Sequence, residues 1–284
     1  MRVTHNSGTL FIVSTPIGNL ADISQRAIDT LKQADIIAAE DTRRTGQLLS
    51  HFGINTKQIA LHDHNEEKKV PHIIDSICNG QTIALVSDAG TPLINDPGFN
   101  LVRAALEANL IVVPVPGPCS PIVALSVSGL PTDRFIYEGF LPAKQGARIK
   151  HLDSLTKEPR TLLFLESSHR IVASLKDMQV TFGEQRVAVV ARELTKTFET
   201  IKKAPLTELI AWIETDPNQT KGEFVIVVDG FDKAVSDKSE VEAENIIKTL
   251  LEEGIGVKQT STIAAKLTGK KKKEMYNLAL ELIE

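Results

Sequence analysis

The densest set of side chains able to do chemistry lies at Ser87-Asp88-Ala89-Gly90-Thr91-Pro92-Leu93-Ile94-Asn95-Asp96-Pro97-Gly98. Its Asp88 offers acceptors to a hydroxyl or an amine, its glycines admit close backbone approach, and its prolines stiffen the path between them. The apolar run Thr82 to Val86 precedes it, and Phe99 to Ala108 follows with apolar residues at helical spacing. The stretch therefore reads as a strand-to-helix loop, longer than the ~2–6 residues such a connection needs. Ligands of open α/β sheets bind at the carboxyl ends of strands, where such loops sit. The competing reading is an ordinary turn rich in Gly, Pro and Asp.

Three further clusters have reactive types. Glu40-Asp41-Thr42-Arg43-Arg44 follows a second apolar run. An acid there either grips a ribose hydroxyl or, as Asp41, caps the next helix. His62-Asp63-His64 lacks the spacing of helical metal ligands and has no cysteine nearby, so no metal is expected. Glu166-Ser167-Ser168-His169-Arg170 offers a carboxylate with a guanidinium to orient it, or merely an ion pair at a helix start. The first strand leads to Pro16-Ile17-Gly18 rather than G-x-G-x-x-G, and no Walker A or G-x-S-x-G sequence occurs. Dinucleotide, P-loop and α/β-hydrolase readings lose their support.

The elements that must position these residues alternate. Strands are expected at Thr9–Val13, Asp35–Ala39, Gln58–Leu61, Thr82–Val86 and Leu110–Val115, with helices between them. Alternation of this kind implies right-handed crossovers and a mainly parallel sheet. No charge occurs from Ala108 to Thr132, long enough to span a bilayer, but Pro114, Pro116, Pro118 and Pro121 forbid one continuous helix. A buried strand, a rigid turn and a buried helix at Ser120–Ser128 are expected instead, in a soluble protein without membrane contact. After Gly129-Leu130-Pro131 the rhythm changes: strands at Phe135–Phe140, Arg160–Leu165, Val187–Ala191, Phe198–Lys202 and Phe224–Val228 suggest a mixed sheet, with a basic helix from Lys144 to Leu155. Asp229 to Glu240 reads as a polar linker. The tail beyond it reads as helical, with a helix-turn-helix around Thr268-Gly269. The expected organisation is an α/β domain over 1–130, a second over 131–232, and a helical tail over 233–284.

A formal net charge of −4 means that any nucleic-acid contact must come from local patches. Two are visible, Lys144 to Lys150 and the run Lys270, Lys271, Lys272 and Lys273. The latter opposes a helix dipole, so it does not serve helix stability; it binds phosphate or is simply solvated. Cys78 and Cys119 cannot build a disulfide framework or a structural zinc site, which favours a reducing compartment. The start, Met1 to Thr9, is polar and lacks an apolar signal region.

Taken together, Ser14 to Leu20, Ala39 to Arg43, Leu61 to Glu66, Val86 to Gly98, Pro114 to Pro118, Glu166 to Arg170 and Ala191-Arg192-Glu193-Leu194-Thr195-Lys196 resemble the ribosomal RNA small-subunit methyltransferase I family of the tetrapyrrole methylase superfamily. The resemblance covers nearly the whole chain. It implies two α/β domains with S-adenosylmethionine in the cleft between them, a cytoplasmic homodimer, and 2′-O-methylation of a cytidine ribose in the decoding region of 16S rRNA of the small ribosomal subunit. Carried over by position, Pro16, Gly18, Asp88, Ala89, Gly90, Thr91, Cys119 and Ser120 look like cofactor contacts, and Glu166 and Arg192 face the same cleft. Cys119-Ser120-Pro121 departs from the small Ser-Ala pair common in the superfamily. No residue is named as general base; Asp41 and Glu166 are the candidates, with Arg43 and Arg170 orienting phosphate or carboxylate. Lys144 and Lys270 to Lys273 would hold the RNA backbone. Two other readings stay open: a tetrapyrrole C-methyltransferase, which would not need these lysines, and a non-catalytic rRNA assembly factor that keeps the cofactor as a structural ligand.

Overall fold

The computed structural model describes residues 8–282, the side chains of 233–241 excepted, so most of the polar N-terminal segment lies outside the described residues. Strands β1 (Thr9–Val13), β2 (Ile36–Ala39), β3 (Lys57–Ala60), β4 (Ile83–Val86) and β5 (Ile111–Val115) form an all-parallel sheet in the order β3-β2-β4-β1-β5. β4 is buried at every position, as a central strand with both faces covered must be. Helices α1 (Gln25–Gln33) and α2 (Thr42–His51) cover one face, where Leu31, Ile37 and Leu49 pack together. Helices α3 (Glu66–Cys78) and α4 (Phe99–Glu107) cover the other, through Ile73, Ile77 and Leu101. β1 and β4 are neighbours, yet their connections leave in opposite directions, toward β2 and toward β5. That reversal makes a crevice between the two loops.

The second sheet is mixed, as expected. It runs β6 (Phe135–Phe140), β7 (Thr161–Ser167), β10 (Glu223–Val228), β8 (Val187–Arg192), β9 (Thr200–Pro205), with β6 and β7 parallel and the other pairs antiparallel. Helix α5 (Ser120–Ser128) fills the end of the uncharged stretch and stops at Gly129, whose φ of 61° is left-handed. Its Ala124 and Leu125 pack on Leu163, Val189 and Val225 of the second sheet. By packing, therefore, α5 belongs to the second sheet, although it precedes the expected boundary at 130. Helices α6 (Gln145–Asp153), α7 (Ile171–Phe182) and α8 (Leu206–Thr215) cover the far face through Leu152, Leu175 and Leu209. Within the basic stretch of α6, Arg148 is not a surface charge. It is buried and paired with Asp177 at 2.6 Å.

Both sheets lie in one compact unit that ends at Asp229; Gly230 onward, with Lys157–Pro159, forms another. The second unit packs α9 (Lys233–Glu252), α10 (Val257–Thr268) and α11 (Lys272–Glu281) around Ile247, Ala264 and Met275. The stretch expected as a linker to Glu240 is thus helical from Lys233 onward. Gly269, at φ 70°, makes the turn between α10 and α11. Lys270 and Lys271 precede α11, while Lys272 and Lys273 open it. Among the described residues no helix is long and apolar enough to cross a membrane.

Candidate active site

The loops after β1, β4 and β5 are tied to one another. Thr15 and Gly90 exchange backbone hydrogen bonds, Thr15 N to Gly90 O at 2.8 Å and Gly90 N to Thr15 O at 3.1 Å. The Thr91 hydroxyl donates to Pro118 O at 2.9 Å, and so must accept from Ser14 Oγ, also 2.9 Å away. A side chain at Gly117 would put a Cβ 2.8 Å from that of Ser14. Gly90 sits at φ 85°, where only glycine is unstrained. The Gly and Thr residues read from the sequence as ligand contacts therefore also act on each other, fixing the shape of the crevice.

Where these loops meet the second sheet lies a cavity of about 380 Å3. Ile17, Ala89 and Ser120 line it from the first side; Leu165, Glu166, Ala191, Leu194 and Val225 line it from the second. A second cavity of about 440 Å3 flanks it across Ile17 and Ala89, reaching Pro16, Gly18, Arg44, Asp88 and Lys196. The two sides are fitted closely at Gly18. A Cβ there would stand 2.4 Å from Lys196 Cγ and 2.8 Å from Thr195 Oγ1. Its close approach is thus to the second sheet's Leu194-Thr195-Lys196 loop, and Asn19 N–H donates to Thr195 Oγ1 at 3.1 Å beside it.

The expected site residues divide. Ala89 and Ser120 line the inner cavity, and Pro16, Gly18, Asp88 and Ala89 line the flanking one. Gly90, Thr91 and Cys119 line neither and shape the loops behind them. Burial pushes the Cys119 thiol up. Asp88 is held in place while lining the flanking cavity: Oδ1 accepts from Asp41 N at 3.0 Å and Oδ2 pairs with Arg44 at 3.1 Å. Asp41 caps α2, accepting from Arg43 N at 2.8 Å and from the Arg43 guanidinium at 2.8 Å. Hydrogen bonds from Arg43 hold its carboxyl far below the usual range, and a carboxylate that is so weak a base is a poor general base. Asp41 reaches neither cavity, so the helix-cap reading is the one the geometry supports. Arg43 remains largely exposed.

Glu166 does line the cavity, but its carboxylate is fully engaged. Oε2 accepts from Ser174 Oγ at 2.5 Å and from Arg170 Nη2 at 3.0 Å; Oε1 accepts from Ser167 N at 2.8 Å and lies 3.0 Å from Arg170 Nε. Arg170 also donates to Leu141 O. The pair ties β7 to α7, with the Glu166 carboxylate buried and engaged and the Arg170 guanidinium partly exposed. Arg192 turns away from the inner cavity and holds the carbonyls of Lys221, Phe198 and Asn218. Lys144, Lys271, Lys272 and Lys273 are exposed, and Lys270 is half-buried.

One acid that reads in the sequence as turn material stands in the cavity lining. Asp96 is half-buried there, and burial pushes its carboxyl up to about 6, with Glu40, Asp88 and Asp63 adding repulsion and the Ser87 hydroxyl acting the other way. Its neighbour Asn95 adopts φ 65° and accepts from Tyr137 OH at 2.5 Å, joining the β4 loop to β6. The signal available in the sequence is a second turn with Asp, Pro and Gly so soon after the first. Among the described residues no group of three or more His, Cys, Asp or Glu is arranged to hold a metal.

Comparison with known proteins gives the family. The family model of the Tetrapyrrole (Corrin/Porphyrin) Methylases matches residues 9–210, and that of the RsmI C-terminal HTH domain matches residues 237–283. Ribosomal RNA small subunit methyltransferase I of Escherichia coli O157:H7 is 53% identical over 98% of this chain and 96% of its own. The Haemophilus influenzae protein of the same name is 50% identical over 99% and 100%. The chain belongs to the ribosomal RNA small subunit methyltransferase I family. It is a methyltransferase, built on the tetrapyrrole methylase fold. Among solved structures, diphthine synthase overlays with a TM-score of 0.60 at 17% identity, covering 78% of this chain and 90% of its own. Uroporphyrin-III C-methyl transferase from Thermus thermophilus, complexed with S-adenyl homocysteine, overlays at 0.55 and 18%, covering 78% and 97%.

Proposed function

We propose that this methyltransferase uses S-adenosylmethionine to methylate the 2′-hydroxyl of a cytidine ribose in the decoding region of 16S rRNA within the small ribosomal subunit. The observation that carries it is the near full-length match to ribosomal RNA methyltransferases, helical tail included. The tetrapyrrole-type structure above spans 97% of its own length on only 78% of this chain, so a small-molecule C-methyltransferase leaves the tail without a role.

The inner cavity fits the cofactor. Ile17, Leu165, Leu194, Ala191 and Val225 give an apolar wall for an adenosyl group, while the flanking cavity brings the charged side chains of Arg44, Asp88 and Lys196 together. When bound, S-adenosylmethionine supplies a methyl group already activated on a sulfonium. The chain's task is then alignment, with reacting atoms about 3–3.5 Å apart, and removal of a proton, which typically contributes ~10²–10⁴-fold. The bridged loops, held by Thr15, Gly90 and Thr91, serve the first task. The exposed lysines Lys144 and Lys271 to Lys273, with Lys270, serve to hold phosphates without reading bases. A cytoplasmic homodimer belongs to the same reading, and sedimentation of the purified chain checks the dimer.

The test is transfer of labelled methyl from S-adenosylmethionine to small ribosomal subunits lacking the modification, followed by nucleoside analysis. The expected product is 2′-O-methylcytidine. Label confined to a base, or no transfer at all, overturns the reading.

A further inference from the structure

A third cavity, of about 770 Å3, opens at the end of the second sheet. One wall is the end of β8 and the loop after it, with Arg192, Thr197 and Phe198; the other is the short 3-10 helix Pro217–Thr220 and its flanks. Gly222 lines both this cavity and the inner one, so the two are neighbours across a single residue. We infer that the third cavity seats an rRNA nucleotide next to the target, its base against Phe198 and its polar groups on Arg192 and Gln219. The inference rests on the rRNA reading above.

Arg192 is the last residue of β8 and shares a face with Val190 and Ala188, which sit in the core of the second sheet. It is only 8% exposed, yet among the described residues no carboxylate pairs with it. Its partners are carbonyls: Nε donates to Lys221 O at 2.6 Å, Nη1 to Phe198 O at 3.1 Å and Nη2 to Asn218 O at 2.9 Å. A guanidinium has five N–H groups, so these bonds leave one N–H on each terminal nitrogen. The adjacent acid, Glu193, is taken by Lys196 at 2.9 Å and by Glu223 N at 2.9 Å. A buried cation without an anion is costly, and a phosphate or a base carbonyl would complete it.

Gln219 supplies the complementary signal. Its Oε1 is buried and has no hydrogen-bond partner. Buried polar groups are nearly always paired, so an unpaired amide in a cavity wall marks a place for a ligand's own polar edge. An exocyclic amine or a ribose hydroxyl has the right chemistry.

Phe198 gives the platform. It is 69% exposed, and its carbonyl is fixed by Arg192 and by the Thr200 hydroxyl at 3.2 Å. Aromatic faces of this kind stack bases splayed out of RNA. Lys221 at the rim and Lys202, two residues beyond Thr200 on the same face of β9, are exposed and suit backbone phosphates. The remaining acids serve the local backbone: Glu199 accepts from Thr195 N at 2.6 Å and Asp216 from Asn218 N at 2.8 Å. A contact between two copies of the chain would call for an apolar centre, whereas Phe198 stands among polar groups. The volume, about 770 Å3, lies within the ~300–1,000 Å3 of small-ligand sites.

The test is filter binding of unmethylated small subunits to the full chain. Single-turnover methyl transfer, calorimetric titration of S-adenosylmethionine, sedimentation and melting curves accompany it on the same preparations. Phe198→Ala should weaken subunit binding about tenfold, with cofactor affinity, sedimentation and melting temperature unchanged. Phe198→Trp should keep the wild-type affinity, since any aromatic face serves. Gln219→Leu should weaken binding about threefold or more while its melting temperature holds or rises, because an unpaired buried amide is gone. Unchanged subunit binding in Phe198→Ala, or equal weakening in Phe198→Trp, overturns the platform. Weakening that comes with altered sedimentation overturns it as well and makes the cavity a contact between copies. A wild-type chain that binds subunits but transfers no methyl overturns the function proposed above, and the same binding ratios then decide the seat by themselves.

Discussion

The two walls of the cleft use their polar groups differently. On the first, the β4 loop carries Asp96 into the cavity with a hydroxyl beside it and acids around it. On the second, Glu166 reaches the same cavity with every oxygen engaged by Ser167, Arg170 and Ser174. Both carboxylates line one cavity, yet burial opposes ionisation of the first, while the second has a partner for each oxygen. The difference teaches where to look for reactivity. A site residue is recognised by what its neighbours leave undone, and a saturated carboxylate is architecture.

Substitutions can break that comparison. The largest loss of stability is expected for Glu166→Ala, which strands the Arg170 guanidinium. Arg170 keeps partial solvent contact, so the loss should sit near the low end for a broken buried pair, about 3 kcal/mol by urea unfolding. Gly18→Val comes next. It forces the Lys196 and Thr195 side chains aside where the walls meet, and overpacking of this kind costs about 1–3 kcal/mol; cofactor affinity should fall with it by calorimetry.

Asp96→Asn should go the other way. Its carboxyl titrates at about 6 in the folded chain, above the ~3.9 of an unfolded aspartate. An acid raised on folding contributes most when protonated, below the unfolded value, and that contribution is lost as pH rises through about 6. At neutral pH the variant should therefore be more stable than wild type, by no more than about 1 kcal/mol once solvent screening is allowed for. Melting curves at acidic and neutral pH should converge at the acidic end. The smallest effect on stability is expected for joint Lys→Gln replacement at Lys270 to Lys273. Cofactor affinity should not move, while the slope of log affinity for rRNA against log salt should flatten by about 0.7–0.9 for each phosphate that is no longer neutralised.

Much of this is legible in the residues, and the misses have physical causes. The parallel sheet, the mixed sheet and the strand–turn–helix within the uncharged stretch follow from apolar runs punctuated by Gly and Pro, a local signal. The allegiance of α5 is hidden because packing partners such as Leu163 and Val225 lie far along the chain. The start of helix α9 reads as a linker because its charges look solvated, although Lys, Ala and Glu are good helix formers. At the site, the Gly- and Pro-rich loops announce themselves by length. Which acids serve as ties does not, since Arg43 and Ser174 engage Asp41 and Glu166 only through folded geometry. Asp96, inside an Asn-Asp-Pro-Gly turn, looks like punctuation.

The division between the walls is tested most directly by single-turnover methyl transfer in Asp96→Asn beside Glu166→Gln, with melting curves on the same samples. The expected result is a crossed pattern. Asp96→Asn, which alters the lining of the cofactor cavity, loses methyl transfer together with S-adenosylmethionine affinity and keeps or raises its melting temperature, whereas Glu166→Gln loses melting temperature and retains more of its rate than Asp96→Asn does. Rate loss in Glu166→Gln at an unchanged melting temperature, with Asp96→Asn still active, would place the chemistry on the second wall and contradict the account.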